Sequence, residues 1–300
     1  MRRGTSGGFV KGELAGVVKG PRGRANGFRA CHDVPRRLWR LISLAHRRLL
    51  MLDYDGTLAP FKAAREAAYP LPRTLEMLRV VAGSPDTSVA IVSGRPVAEV
   101  DRLLGPIPAL LVGEHGWETR PGNGAVVCWS PPRAALEALD QARRAAAQRG
   151  WGDRLEGKRS SVVLHTRGLP EVDARRIEDA CAALWWPYCD RAPVNLDRIN
   201  GGVELRTRGR DKGTAVLSLL SHEPPGTLAV YVGDDVSDED AFRTVREFGF
   251  GVRVGSDQRP SLAAGRLPSC DAVADFLEVW QSVADPPRGR GGPAGGKELA

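Results

Sequence analysis

Residues 48–61 read RLLMLDYDGTLAPF. Leu49 to Leu52 form a short apolar run, Asp53 and Asp55 follow two residues apart, and Gly56-Thr57 breaks the pattern. An apolar run of this length closed by a turn signal suits a strand buried on both faces. In an open parallel sheet ligands bind beyond the carboxyl ends of such strands, so both carboxylates are expected at the mouth of a site. Acids at i and i+2 across a strand end can divide labour. One can serve as nucleophile and metal ligand, and the other, lifted by the turn, as proton donor to a leaving group. They can equally be turn acids that cap a strand.

Working downstream, the pattern alternates. Residues 72–83, PRTLEMLRVVAG, read as a helix with Pro at its start and Gly at its stop. Residues 88–92, SVAIV, read as a buried strand that ends in Ser93-Gly94-Arg95-Pro96. A helix over 97–104 and a strand over 109–112, ending in Gly113-Glu114-His115-Gly116, continue the series. Apolar strands alternating with helices predict a parallel α/β sheet. Ser93 and the backbone amides that follow it, Gly94 first, suit a phosphate oxygen; a serine there also serves as an N-cap.

The middle changes character. Residues 125–129 and 160–166 (SSVVLHT) read as strands, 131–148 and 171–184 as helices, and 202–206 (GVELR) as a closing strand. These strands mix polar with apolar residues, as a sheet with one face open to water does. That predicts a small inserted α+β domain over 118–205, set over the mouth of a core built from 41–117 and 206–284. Glu156, Lys158, His165, Arg167 and Glu204 can form a floor that hydrogen-bonds hydroxyls, or simply a solvated face. Lys158 and Arg167 are also free to touch a phosphate. Trp185 and Trp186, beside Pro187, read as packing residues.

The formal net charge of +7 is unevenly spread. Residues 1–48 carry twelve Lys or Arg against Glu13 and Asp33, a net +10, so the rest of the chain is net −3. The basicity therefore belongs to a Gly/Arg-rich leader, residues 1–40, expected to be disordered, with 285–300 as a second loose tail. The leader has no continuous apolar segment of a secretory signal, and no run of 18 apolar residues exists to span a membrane. The five cysteines are scattered with no CxxC pair, which points away from a disulfide framework or zinc site and towards a reducing compartment.

Towards the end the first pattern returns. Lys212 precedes a helix over 214–220 and so projects from near a helix N-terminus, a place suited to anions. The strand at 228–232, LAVYV, ends in GDDVSDED, residues 233–240. Five acids within seven residues behind a buried strand repel one another unless a cation joins them. Hard oxygen ligands of this kind select Mg2+.

DYDGT at 53–57, the strand-terminal Ser93, Lys212, and GDD with a following acid at 233–238 stand in the order of the four motifs of the haloacid dehalogenase superfamily, which the chain resembles. VSGRP at 92–96, GEHGWE at 113–118 and GDDVSDEDAF at 233–242 narrow the resemblance to the trehalose-6-phosphate phosphatases, over residues 45–282; Ser237 stands where that family often has Thr. The resemblance implies an α/β fold, a Rossmann-like parallel-sheet core of the haloacid dehalogenase type with an inserted smaller α+β cap domain. It implies Mg2+-dependent hydrolysis of trehalose 6-phosphate through an aspartyl-phosphate. Asp53 would be the nucleophile and a metal ligand. Asp55 would be the acid and base, with its carbonyl on the metal. Asp234 would be a third ligand, and Asp238 a ligand or an orienter of the metal's waters. Ser93, Gly94 and Lys212 would hold the phosphate, and Glu118, Lys158, His165, Arg167 and Glu204, with Glu156, the sugar. Cap motion over the mouth would limit turnover.

Two other readings stand beside this one: a phosphatase for another sugar or pseudo-sugar phosphate, and a catalytically silent sugar-phosphate-binding regulatory module. The intact set Asp53, Asp55, Lys212 and Asp234 speaks against silence. The chain is expected to act as a monomer in the cytoplasm on a small-molecule sugar phosphate, with no membrane partner and nucleic acid reached only through the leader.

Overall fold

The structure is a computed structural model and describes residues 31, 33–62, 64–122 and 124–285. Most of the basic leader and all but the first residue of the C-terminal tail lie outside the described residues. Helix α1 (Arg36–Leu44) buries Leu38 and Ile42 and leads into strand β1 (Arg48–Leu52). There follow α2 (Pro72–Ala82), β2 (Thr87–Val92), α3 (Val97–Leu104) and β3 (Leu110–Gly113). A hairpin of β4 (Glu118–Arg120) and β5 (Val127–Cys128) comes next. Then come α4 (Arg133–Ala146), β6 (Leu155–Gly157), β7 (Ser161–His165), α5 (Glu171–Arg191), β8 (Val194–Ile199) and β9 (Gly202–Thr207). The chain closes with α6 (Lys212–Leu220), β10 (Leu228–Gly233), α7 (Asp238–Val245), β11 (Gly249–Val254), β12 (Gly265–Leu267) and α8 (Asp271–Ala284).

The described strands form two sheets. The larger has the order β12-β11-β10-β1-β2-β3-β4-β5, parallel from β12 to β3. Strand β1 is fully buried because both faces are covered. Leu50 and Leu52 pack into the cluster that includes Phe276 and Trp280 of α8, and Leu49 and Met51 into the opposite cluster, with Val216 and Phe242. Each such side chain contributes about 1.5–3 kcal/mol by leaving water. The chain progresses from β1 through β2 to β3 in one direction and from β10 through β11 to β12 in the other, so the crevice between β1 and β10 is the switch point where an open sheet binds its ligand.

The smaller sheet, β6-β7-β9-β8, is antiparallel. Its period of two is clean. Val162, Leu164, Val203 and Leu205 pack on α4 and α5, with the Trp185 indole donating to the carbonyl of Ala142 at 3.0 Å, while Val163, His165 and Glu204 face the other way, into the cavity over the core. The fold is thus α/β with a mostly parallel central sheet and a separate small antiparallel cap sheet. One expectation is corrected. The segment 125–129 is not a cap strand, because β4 and β5 extend the core sheet by antiparallel pairing, Thr119 opposite Val127, and the cap sheet begins at Leu155. An edge hairpin wetted on one side carries the same mixed hydropathy as a cap strand, so the pattern alone does not tell them apart. Among the described residues no helix is long and apolar enough to cross a membrane.

Candidate active site

Asp53 stands one residue past β1, its N–H donating to the carbonyl of Val232 at 2.8 Å, so the β1–β10 ladder carries it to the crevice. Gly56 explains the next step. Its φ is +76°, and a Cβ there would collide with the carboxylate of Asp234, so only glycine lets the turn after Asp55 approach the strand end of β10. Gly233 does the same on the other side, since a Cβ would occupy the place of the Asp238 carboxylate. Carboxylate oxygens of Asp53, Asp234 and Asp238 come within 4.8 Å of one another.

Lys212 is the counter-charge. It opens α6, whose N-cap Asp211 accepts from the Thr214 N–H at 2.7 Å in a capping box. Its ammonium, 3% exposed, lies 2.8 Å from Asp53 Oδ1 and 2.7 Å from Asp238 Oδ1. Burial alone would lower the lysine's pKa; Asp238 and Asp53 outweigh it and hold the ammonium charged well above its usual range. Asp238 is spent within the protein: Oδ1 also accepts from the Tyr231 hydroxyl at 2.6 Å, and Oδ2 from the Asp235 N–H at 2.8 Å. Asp234 is the opposite case, with a buried Oδ1 that has no hydrogen-bond partner.

The carboxylates push one another up. Burial, then the charge of Asp238 and Asp55, raises Asp53 to about 7 against the pull of Lys212. Burial and the neighbouring Asp53 and Asp238 lift Asp234 well above the carboxylate range. One lysine does not neutralise three acids at this spacing, and an oxygen-only donor set with an orphaned oxygen fits a hard divalent cation.

Asp55 is held differently. Arg95 meets it with a bidentate fork, Nε to Oδ2 at 2.7 Å and Nη2 to Oδ1 at 2.6 Å. Burial works to raise this carboxyl, but Arg95's hydrogen bonds and charge leave it below its ordinary value. Ser93 Oγ accepts from the Arg95 N–H at 3.1 Å, and Lys158, reaching down from the cap, donates to the carbonyl of Gly94 at 2.9 Å. Above them Glu204, buried, accepts from Ser161 Oγ at 2.7 Å and lies 3.3 Å from both Lys158 Nζ and His115 Nε2. Burial would raise Glu204, and Lys158 with His115 more than reverses it. Arg167 stacks on Phe61 at 4.8 Å and donates to the Asn200 carbonyl.

Asp53, Asp55, Ser93, Gly94, Lys158, His165, Arg167, Glu204 and Lys212 all line one cavity, whose interior free volume is about 80 Å³. Asp234 and Asp238 are not in its lining, but their carboxylates approach that of Asp53, which is. Glu156 faces Arg65 and His165 rather than the cavity. Glu118 is corrected: it does not line this cavity, and its Oε2 accepts the Val97 N–H at 2.8 Å, which makes it a cap for helix α3. Its place after the GEHG motif invites the sugar reading, but Glu118 starts a core strand and turns to the nearest helix N-terminus. Sequence reasoning passed over Arg95, Arg65 and His115, all in the cavity wall. It also passed over Glu114, buried at φ +45°, whose carboxylate accepts from the Ser160 N–H and Oγ at 2.9 and 2.7 Å and so ties the core to the cap. Arg95, Glu114 and His115 sit inside quoted motifs; Arg65 carries no motif signal.

A sequence profile described as Trehalose-phosphatase matches residues 51–269. The chain belongs to the trehalose-phosphatase family. Among relatives, it is 33% identical to a probable trehalose-phosphate phosphatase of Sinorhizobium fredii, over 76% of this chain and 85% of that one. It is 30% identical to the trehalose-phosphatase of Schizosaccharomyces pombe over 81% of this chain; that alignment spans 32% of the yeast protein's length. The C-terminal domain of the C. albicans trehalose-6-phosphate phosphatase has the same fold, at a TM-score of 0.73, 23% identity, and 83% and 95% coverage of the two chains. The trehalose-phosphatase fold is that of the haloacid dehalogenase phosphatases, as its motif order implied. Membership makes the chain a phosphoric monoester hydrolase.

Proposed function

We propose that the chain hydrolyses trehalose 6-phosphate to trehalose and phosphate with Mg2+ as cofactor, through an aspartyl-phosphate on Asp53. One observation carries the reading: Asp53 and Lys212 line a cavity that the polar face of the cap also lines, and a carboxylate oxygen of Asp234 lies within 4.8 Å of one of Asp53. Asp53, Asp234 and the backbone carbonyl of Asp55 would hold the ion; Asp238, saturated by Lys212, Tyr231 and Asp235, we assign to holding the lysine. When bound, Mg2+ neutralises charge on the carboxylates and on the phosphate dianion.

Asp53 attacks phosphorus while Asp55, once it has taken up a proton against the pull of the Arg95 fork, gives that proton to the departing sugar oxygen; Asp55 then takes a proton from the water that hydrolyses the acyl phosphate. Lys212 and Ser93 hold the non-bridging oxygens, and the fixed ammonium offsets the repulsion between a carboxylate and a dianion. Such monoesters are among the slowest to hydrolyse unaided, so the site must supply about 20 kcal/mol. Lys158, Glu204, His165 and Arg167 sort substrates, because a wrong sugar leaves these buried groups unpaired.

Release of inorganic phosphate from a panel of sugar phosphates tests the reading: trehalose 6-phosphate should exceed glucose 6-phosphate in kcat/KM by 10²-fold or more, on the order expected of buried polar recognition. Equal rates across the panel would return the reading to a general sugar phosphatase, and no release from any member would favour the silent module. The ion is tested by thermal melting as well as activity. EDTA should silence the enzyme reversibly, and at 100 times its dissociation constant Mg2+ should add about 2.7 kcal/mol to the apo fold. Asp234→Asn should remove that gain; a full gain in this variant would move the ion elsewhere.

A further inference from the structure

A file of paired polar side chains runs from the cap to Asp55. Arg95, almost wholly buried, spends Nε and Nη2 on Asp55 and Nη1 on Glu99 and on the carbonyl of Arg65, the last at 3.0 Å. Arg65 in turn pairs with Glu99 at 2.9 Å and with Glu156 of cap strand β6, and Glu156 also meets His165 of β7 at 2.8 Å. The order is His165, Glu156, Arg65, Glu99, Arg95, Asp55. Arg65 belongs to a three-residue 3-10 turn, Arg65–Ala67, with no buried residue of its own, so apolar packing within the turn does not fix its place. Inside the core the Arg95 guanidinium on the Arg65 carbonyl and the Arg102 guanidinium on the Glu66 carbonyl hold the turn, and Glu156 ties the Arg65 side chain to the cap. Arg65 reaches Arg95 twice, through Glu99 and through its own carbonyl, and Arg95 in turn faces both oxygens of Asp55.

We propose that Arg65 is a positioning residue that makes the aim of Asp55 depend on the cap being seated. With Glu156 docked, the turn, Glu99 and Arg95 are fixed and Asp55 is aligned. With the cap lifted, Arg65 loses its cap partner, its carbonyl shifts, and the fork on Asp55 loosens. Proton transfer then waits for closure, when bulk water has been excluded. The inference rests on the phosphatase reading, but not on which sugar is the substrate.

Two sugar-free esters isolate it. Phenyl phosphate has a poorer leaving group than p-nitrophenyl phosphate and depends more on a proton from Asp55, and kcat/KM reports only steps through phosphoryl transfer to Asp53. Arg65→Gln should lower the phenyl to p-nitrophenyl ratio of kcat/KM by about tenfold or more, the size of a small misalignment. Glu156→Leu, a change in the cap, should lower the same ratio. Asp55→Asn should lower it further, and adding Arg65→Gln to Asp55→Asn should leave the ratio where Asp55→Asn alone sets it. If either cap-side or turn variant lowers both esters equally, or affects only trehalose 6-phosphate, the relay is wrong and these residues serve folding or sugar binding. Failure of the sugar panel leaves this ratio readable, so the two readings fall separately.

Discussion

Asp53→Asn should yield a protein that folds and does not turn over, with kcat reduced on the order of 10⁴ to 10⁶, as for loss of a nucleophile. Asn keeps the shape and loses the attacking oxygen's charge. The same variant makes a second, less obvious prediction about stability. Burial and the charges of Asp238 and Asp55 raise the Asp53 carboxyl to about 7 despite Lys212. A carboxyl raised on folding favours the neutral form. Its ionisation therefore costs the folded state nothing below the unfolded value of about 4, and the cost grows until it is complete above about pH 7. In chelator at pH 8, Asp53→Asn should thus melt no lower than the parent and somewhat higher, and the difference should vanish near pH 4. Added Mg2+ should stabilise the parent and close the gap. Melting curves at the two pH values, with and without the ion, check this; a variant that melts far below the parent at pH 8 would mean that the Lys212–Asp53 pair outweighs the repulsion.

Lys212→Ala should fail more broadly. The ammonium touches Asp53 and Asp238 and is almost sealed from solvent, so its removal strands two buried carboxylates. Breaking one side of such a pair costs about 3–5 kcal/mol. At about 2–4 °C for each kcal/mol in a chain of this size the melting point should fall by roughly 10 °C. Activity should fall by 10² to 10³ or more in kcat, the size of losing one donor to the developing charge. Circular dichroism melts and phosphate-release kinetics below the variant's transition separate the two losses. Near-parent kcat in the folded variant would remove Lys212 from the transition state.

The parts legible in the sequence were those whose position follows from chain order. Asp53 and Ser93 directly follow an apolar run, Asp234 follows one after a single glycine, and a parallel sheet delivers all such ends to one edge. Lys212 was readable because it opens a helix. What escaped depends on partners distant in the chain. Arg95 reads as part of a turn until the fold brings Asp55 within 2.6 Å, and Arg65 lies in a segment without periodicity whose partner, Glu156, belongs to the cap. The β4–β5 hairpin was misassigned because hydropathy reports how wet a strand is, not which sheet it joins. Glu204 was readable because alternation along β9 points one face at the cavity.

The adjacency of β1 and β10 has a consequence for how the molecule comes to life. These neighbours are made at opposite ends of synthesis, with the whole insert between them. A nascent or truncated chain ending before Leu228 carries Asp53 without Asp234, and its opening strand lacks one lateral neighbour. Such a chain is inert rather than sluggish, and in refolding experiments the return of phosphate release marks the closing of the sheet's centre, never an earlier stage.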